Sequence, residues 1–253
     1  MRRLVIIPTY NECENIARMI ERVLSLPEPF DILIVDDGSP DGTADIVRDR
    51  QAAESATGAT GARGRLHLIE RSGKQGLGSA YIAGFRWALE RDYDMVFEMD
   101  ADFSHNPDDL LRLAHAATGE SAESEGRGAD VVIGSRYVAG VNVVNWPMSR
   151  LLISWCASRY VRLVTWMPVK DATAGFVGYS RRVLESIDLD GVRMKGYGFQ
   201  IEMKYTAWRL GFRLREVSIV FVDRTEGTSK MSSGIFGEAL WGVLGLKLRR
   251  ISR

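Results

Sequence analysis

Cysteine, histidine and net charge are all scarce in this chain, and each shortage removes a class of function. Its 253 residues include two cysteines and three histidines, and 33 Lys and Arg face 33 Asp and Glu. Cys13 and Cys156 form no CxxC pair and fit no Cys/His spacing for zinc, so both read as reduced thiols of a cytosolic protein. Three histidines furnish no Ser/His/Asp or Cys/His nucleophile set. Balanced charge lacks the electrostatic footprint of a nucleic-acid binder, so any anion site must be local. No apolar run reaches the about eighteen residues of a membrane span, and no repeat of solenoid length recurs. The opening Met1-Arg-Arg-Leu-Val-Ile-Ile-Pro stops being apolar at Pro8, which predicts a first strand rather than a targeting segment.

What is present is an alternation of strand-like and helix-like segments. Strands are expected at Leu4–Ile7, Ile32–Val35, Leu66–Ile69, Met95–Met99 and Val131–Ile133, with helices at Glu14–Leu24, Ala44–Arg50, Ser79–Glu90 and Pro107–Ala116. Ala52–Gly64 and Glu120–Gly128 read as surface loops. Such alternation argues for an α/β fold, a mainly parallel sheet with helices on both faces. The length suits one well-buried core, and residues 1–253 are read as a single domain.

The run Tyr93-Asp-Met-Val-Phe-Glu-Met-Asp-Ala-Asp ends on two carboxylates one residue apart, Asp100 and Asp102. Side chains alternate along a strand, so aspartates at i and i+2 are expected to leave the sheet on one side and grip one divalent cation. Oxygen-only ligation, completed by water and phosphate, suits Mg²⁺ or Mn²⁺ bound with a diphosphate. A strand end and a helix cap account equally for a bare DxD, so its surroundings decide.

Those surroundings include a second acidic cluster, Asp36-Asp37-Gly38-Ser39-Pro40-Asp41-Gly42-Thr43, again at the end of a β-rich apolar run. In open α/β sheets ligands sit beyond the carboxyl ends of the strands, where both clusters fall if the strands are parallel. Turn chemistry explains Gly38, Pro40 and Gly42. A second adjacent acid is unnecessary for a turn, and Asp37 is free to accept hydrogen bonds from a ribose or base. The glycine-rich Gly73-Lys-Gln-Gly76-Leu-Gly78 fits neither the Walker loop nor GxGxxG and reads as a tight turn or a helix N-terminus near an anion. Arg136, Arg150, Arg224 and Lys230 stand near glycines and hydroxyls, and as a set they look like phosphate clamps.

Nine strings in order carry a family resemblance: IIPTYNE (Ile6 to Glu12), VDDGSPDGT (Val35 to Thr43), GLGSAY, EMDADFSHNP (Glu98 to Pro107), IGSRY, NWP, DATAGF (Asp171 to Phe176), KGYGFQIEM (Lys195 to Met203) and FVDRTEGTSKM (Phe221 to Met231). The chain resembles the polyprenyl-phosphate (dolichyl-phosphate) mannose synthases, inverting glycosyltransferases of family two with the GT-A fold. The resemblance implies transfer of mannose from GDP-mannose to a polyprenyl phosphate, with Mg²⁺ or Mn²⁺ as cofactor. By position it implies nucleotide contacts at Pro8, Tyr10, Glu12, Val35 and Asp37. It puts the metal and diphosphate at Asp100, Ala101 and Asp102, and the donor and acceptor phosphates at Arg136, Arg150, Arg224 and Lys230. Asp102, Arg224 and Lys230 become the residues expected to carry catalysis.

Some relatives place glutamine at the Ser104 position as a further metal ligand, and a serine hydroxyl reaches less far. Many relatives also continue into transmembrane helices, whereas this chain resembles the single-domain branch. A lipid acceptor still requires contact with a bilayer, and the expected location is peripheral, on the cytoplasmic face of a membrane. Leu151–Met167 and Ile235–Leu248 mix bulky apolar groups with cations, as interfacial helices do, and 233–253 is a candidate surface-lying segment. Burial against the sheet or a second copy is the alternative for both helices, favoured for Leu151–Met167 and level for Ile235–Leu248, and oligomeric state is not legible. UDP-glucose or another nucleotide sugar is the alternative donor. A haloacid-dehalogenase-like phosphatase matches Asp100-Ala-Asp102-Phe-Ser104 only superficially, lacking a later acid pair after Val132. A nucleotide-sugar-binding subunit without catalysis is the remaining alternative.

Overall fold

The apolar runs fold into strands in the expected order. A computed structural model describes residues 1–56, 65–121, 126–194, 196–223 and 235–249. The first half alternates: β1 (Arg3–Thr9), α1 (Ile16–Leu24), β2 (Asp31–Asp36), α2 (Thr43–Ala56), β3 (Leu66–Glu70), α3 (Leu77–Leu89), β4 (Met95–Glu98), α4 (Asp109–Thr118) and β5 (Val131–Ser135). The second half is less regular: β6 (Val143–Val144), α5 (Met148–Thr165), β7 (Val177–Ser180), α6 (Arg181–Ser186), α7 (Tyr197–Arg209), β8 (Leu214–Ser218), β9 (Phe221–Val222) and α8 (Ile235–Leu248). One expectation is corrected here, because the loop expected from Ala52 begins as helix and α2 runs to Ala56. The Gln51-Ala-Ala-Glu stretch is made of good helix formers, which extend the helix. Residues 57–64 lie outside the described residues.

Seven strands form one sheet in the order β3-β2-β1-β4-β7-β5-β8, and β6 and β9 form a small parallel pair beside it. Pairing is parallel among β3, β2, β1 and β4 and between β5 and β8; β7 alone runs antiparallel, to both β4 and β5. Strand alternation divides the core into two layers. Leu4 and Ile6 of β1 face a layer with Phe85 of α3 and Phe199 of α7, while Val5 and Ile7 face one with Ile20 of α1 and Leu113 of α4. Helix α3 lies close on β1 because residue 84 is glycine: a Cβ there would come within 2.7 Å of Ile6. The parallel strands β1, β2 and β4 end together, so the loops after Thr9, Asp36 and Glu98 share one edge of the sheet.

Candidate active site

At that edge lies a cavity of about 510 Å³, within the range of small-molecule sites. One end is walled by Pro8, Tyr10 and Glu12 from the loop after β1, Asp37 from the loop after β2, and Lys74. Asp100, Ala101 and Asp102 form the middle. At the other end stand Arg136, Trp146 and Arg150, and Thr173, Tyr197 and Gln200 also line the wall. Val35 is instead fully buried inside β2, and Ser104 is buried away from the cavity wall with its hydroxyl unpartnered. Arg224 and Lys230 lie outside the described residues, which end one segment at Asp223.

The two neighbouring acids after β2 divide their work. Asp36 faces inward and accepts hydrogen bonds from Thr9 Oγ1 (2.8 Å), Ser39 N–H (2.8 Å) and Ser39 Oγ (2.6 Å), which folds the turn. Asp37 points to the cavity, paired with Arg71 at 3.1 Å and accepting Gln75 N–H at 3.3 Å. Burial pushes its carboxyl up, and the Arg71 guanidinium opposes that rise. Asp41 anchors the same loop by accepting hydrogen bonds from Thr43 and from Cys13 N–H. Burial works against its ionised form, yet these hydrogen bonds bring its carboxyl down to about 2.

The DxD segment requires a correction to its geometry. Strand β4 ends at Glu98, so Asp100 and Asp102 belong to the turn beyond it, and strand alternation is not what aligns them. The turn does so instead: Phe103 adopts a positive φ of 59°, and Ser104 N–H returns to Asp102 Oδ1 at 3.0 Å. Behind the turn His105 is buried, stacked on Phe176 with ring centroids 4.9 Å apart, and its Nδ1 accepts the Asp100 N–H at 3.2 Å. Burial lowers the imidazole to about 4, so the ring is a neutral buttress. The two carboxylates thus offer an all-oxygen donor set to a cavity large enough for phosphate and water to complete it, which fits a hard divalent cation. Among the described residues no cluster of three or more His, Cys, Asp or Glu could hold a metal by itself. A cation here would depend on its anionic ligand.

Arg136 departs from the expected open phosphate clamp. It is buried, and it donates to Asp171 from its backbone N–H (2.9 Å), Nε (2.7 Å) and Nη2 (2.6 Å), with Nη2 also 2.8 Å from Thr173 Oγ1. Asp171 is fully buried, and although burial favours its neutral form, the Arg136 charge and hydrogen bonds hold the carboxyl below its ordinary range. Arg136 is therefore a neutralised part of the wall, packed against Trp146 and Phe221. Arg150 lies 4.2 Å over the Trp146 ring and donates to Asp223 at 2.7 Å.

Sequence reasoning passed over several wall residues, among them Lys74, Trp146 and Gln200. Lys74 lies 5.1 Å over the Tyr10 ring, from the glycine-rich turn that gave no motif match. Trp146 and Gln200 sit inside the NWP and KGYGFQIEM strings, but nothing in their spacing assigned them a wall. Those strings were the available signal.

A family model, Glycosyl transferase family 2, matches residues 4–188. The chain belongs to glycosyl transferase family 2. Among curated proteins it is 48% identical over 248 residues to an undecaprenyl-phosphate mannosyltransferase of Micrococcus luteus, covering 96% of this chain and 95% of that one. It is 45% identical over 249 residues to a polyprenol monophosphomannose synthase of Mycolicibacterium smegmatis, covering 96% and 88%. Among solved structures it is similar to glucosyl-3-phosphoglycerate synthase from Mycobacterium tuberculosis, solved with Mn²⁺, UDP-glucose and phosphoglyceric acid, at TM-score 0.62 and 18% identity, covering 96% of this chain and 79% of that one. The same enzyme solved with Mg²⁺ and UDP gives a TM-score of 0.61 at 18% identity, covering 96% and 79%. This family-two glycosyltransferase therefore has the GT-A fold, and structural neighbours of that fold were crystallised with a divalent metal.

Proposed function

We propose that this glycosyltransferase moves mannose from GDP-mannose to a polyprenyl phosphate, releasing GDP and giving the polyprenyl β-mannosyl phosphate. The observation that carries this reading is one cavity whose wall combines Tyr10 and Asp37, the Asp100 and Asp102 carboxylates, and the cationic Arg150. Two relatives named for mannose transfer to polyprenyl lipids, at 48% and 45% identity, support the sugar and the acceptor class.

The chemistry follows from charge. An acceptor phosphate is already ionised near neutral pH, so no strong general base is needed, and none is offered by the neutral His105. Catalysis rests on positioning and electrostatics. Asp100 and Asp102 would hold Mg²⁺ or Mn²⁺, which when bound offsets the charge developing on the departing diphosphate. Donor and acceptor are both anions: two unit charges ~4 Å apart repel by roughly 4 kcal/mol at an effective dielectric near 20. Arg150 opposes that repulsion, and Arg224 and Lys230 join it in the resemblance. Attack on the anomeric carbon from the face opposite the diphosphate inverts an α-linked donor.

The acceptor is a lipid, and the chain carries a surface suited to a bilayer. No helix among the described residues is long and apolar enough to cross a membrane. Helices α5 and α8 pack together and, with Trp166 just past the end of α5, expose Leu152, Leu163, Trp166, Trp241 and Leu248, the tryptophans at 75% and 74% exposure. Lys247 lies 3.9 Å over Trp166 and Arg159 4.7 Å over Trp155. Aromatics beside cations match the depth profile of an anionic headgroup layer.

Incubation with Mg²⁺, a polyprenyl phosphate and radiolabelled GDP-mannose or UDP-glucose tests the proposal. Label entering the organic phase from GDP-mannose alone is expected. Label from UDP-glucose alone overturns the donor, and label from neither overturns the transfer.

A further inference from the structure

One buried carboxylate joins the last turn of α8 to the start of α7. Glu202 of α7 is almost fully buried, and its two oxygens hold different partners. Oε2 accepts the backbone N–H groups of Arg193 (2.9 Å) and Met194 (2.8 Å), while Oε1 accepts the Arg249 guanidinium at 2.7 Å. Arg249 also donates to the Gly191 carbonyl at 2.9 Å, so residues 191–194 are tied at both ends to the same pair. Charge-assisted hydrogen bonds of this kind, on a carboxylate sheltered from water, are stronger than a surface ion pair. Met194 adds a packed contact: its methyl tip lies against Gly198 of α7 and Gly242 of α8, where a Cβ would come within 2.7 Å and 2.6 Å of it.

The anchored stretch leads straight into the cavity wall. Gly196 turns the chain into α7 at a φ of 53°, a conformation that side chains disfavour, and Gly196 and Tyr197 both line the cavity. Glu202 and Arg249 do not line it. Helix α8 buries Val243 and Leu246 and leaves Trp241, Leu244 and Leu248 exposed, on the surface assigned above to the bilayer. Leu248 and Arg249 are adjacent, so the residue that grips Glu202 follows directly on one that faces outward. A shift of α8 against the membrane thus reaches the rim through one pair of side chains.

We infer that Arg249 and Glu202 are positioning residues that couple the seating of α8 on a bilayer to the cavity rim at Gly196 and Tyr197. The inference rests on the bilayer reading of the α5–α8 surface. Seating α8 holds Arg249 on Glu202, which keeps the Arg193 and Met194 amides bound and the rim in place. Without Arg249 the helix still meets lipid, but the rim no longer responds.

Backbone hydrogen exchange at Arg193 and Met194, measured on the whole protein with and without phosphatidylglycerol vesicles, reads this coupling. Vesicles are expected to slow both amides about tenfold in wild type, the equivalent of one charge-assisted hydrogen bond made more secure. Arg249→Met is expected to co-sediment with the vesicles and to bind GDP with Mn²⁺ within about twofold of wild type, yet to show no slowing. Arg249→Lys, which keeps the charge, is expected to recover part of the response. In transfer assays the ratio of kcat/KM for polyprenyl phosphate in vesicles to that for a short water-soluble analogue should fall about tenfold in Arg249→Met. An equal loss with both acceptors assigns the pair to the fold and overturns the inference, and so does slowing that persists in Arg249→Met. Glu202→Gln, which keeps an oxygen for both amides, replaces an Arg249→Met that fails to bind GDP. Wild type that co-sediments without slowed exchange refutes the coupling alone, whereas wild type that does not co-sediment refutes the bilayer reading and the inference with it.

Discussion

Replacing Asp171 by alanine strips the buried Arg136 guanidinium of its counter-charge. Asp171 is fully buried, Arg136 nearly so, and three hydrogen bonds of 2.6–2.9 Å join them. Removing one partner of such a pair costs about 3–5 kcal/mol, because the other charge is left desolvated and unpaired. In a chain of this size each kcal/mol moves the melting temperature by about 2–4 °C, so Asp171→Ala is expected to melt about 6–20 °C below wild type. Differential scanning calorimetry at neutral pH measures the drop. The double variant Arg136→Met/Asp171→Ala removes both charges and leaves no unpaired guanidinium, and it is expected to recover much of the loss. A single variant melting within about 2 °C of wild type refutes the reasoning, and so does a double variant no more stable than the single.

Trp166→Ser/Trp241→Ser is expected to retain nucleotide binding and to lose co-sedimentation with anionic vesicles in low salt; unchanged sedimentation contradicts the α5–α8 platform. Gly78→Ala drives a Cβ into Phe199 and is expected to cost about 1–3 kcal/mol in denaturant unfolding. Asp41 has a folded-state carboxyl near 2, below its unfolded value, so its stabilisation is complete above the unfolded value and is lost as pH falls through about 2. The stability gap between wild type and Asp41→Ala should accordingly be widest near neutral pH and close in strong acid, as measured by urea unfolding across pH.

The parallel half of the fold was legible because its strands are short continuous apolar runs, as a sheet covered on both faces requires, separated by turn residues and helix-like segments. The antiparallel β7 was not, since a four-residue strand carries no mark of its direction. Asp37, Asp100 and Asp102 could be placed at one edge because acids ending parallel strands must meet there. The Arg136–Asp171 pair escaped notice: its members are far apart in sequence, and only β5 and β7 lying side by side brings them together. DxD alignment was anticipated for a reason the turn does not use, since Phe103, not strand alternation, orients it.

Mn²⁺ dependence of GDP affinity, measured by calorimetry in wild type and Asp102→Ala, tests the heart of the account most directly. Wild type is expected to bind GDP far more tightly with Mn²⁺ than without, and the variant to bind it weakly and almost equally in both conditions. A variant that keeps the full Mn²⁺ enhancement would contradict the assignment of these carboxylates to the metal and diphosphate.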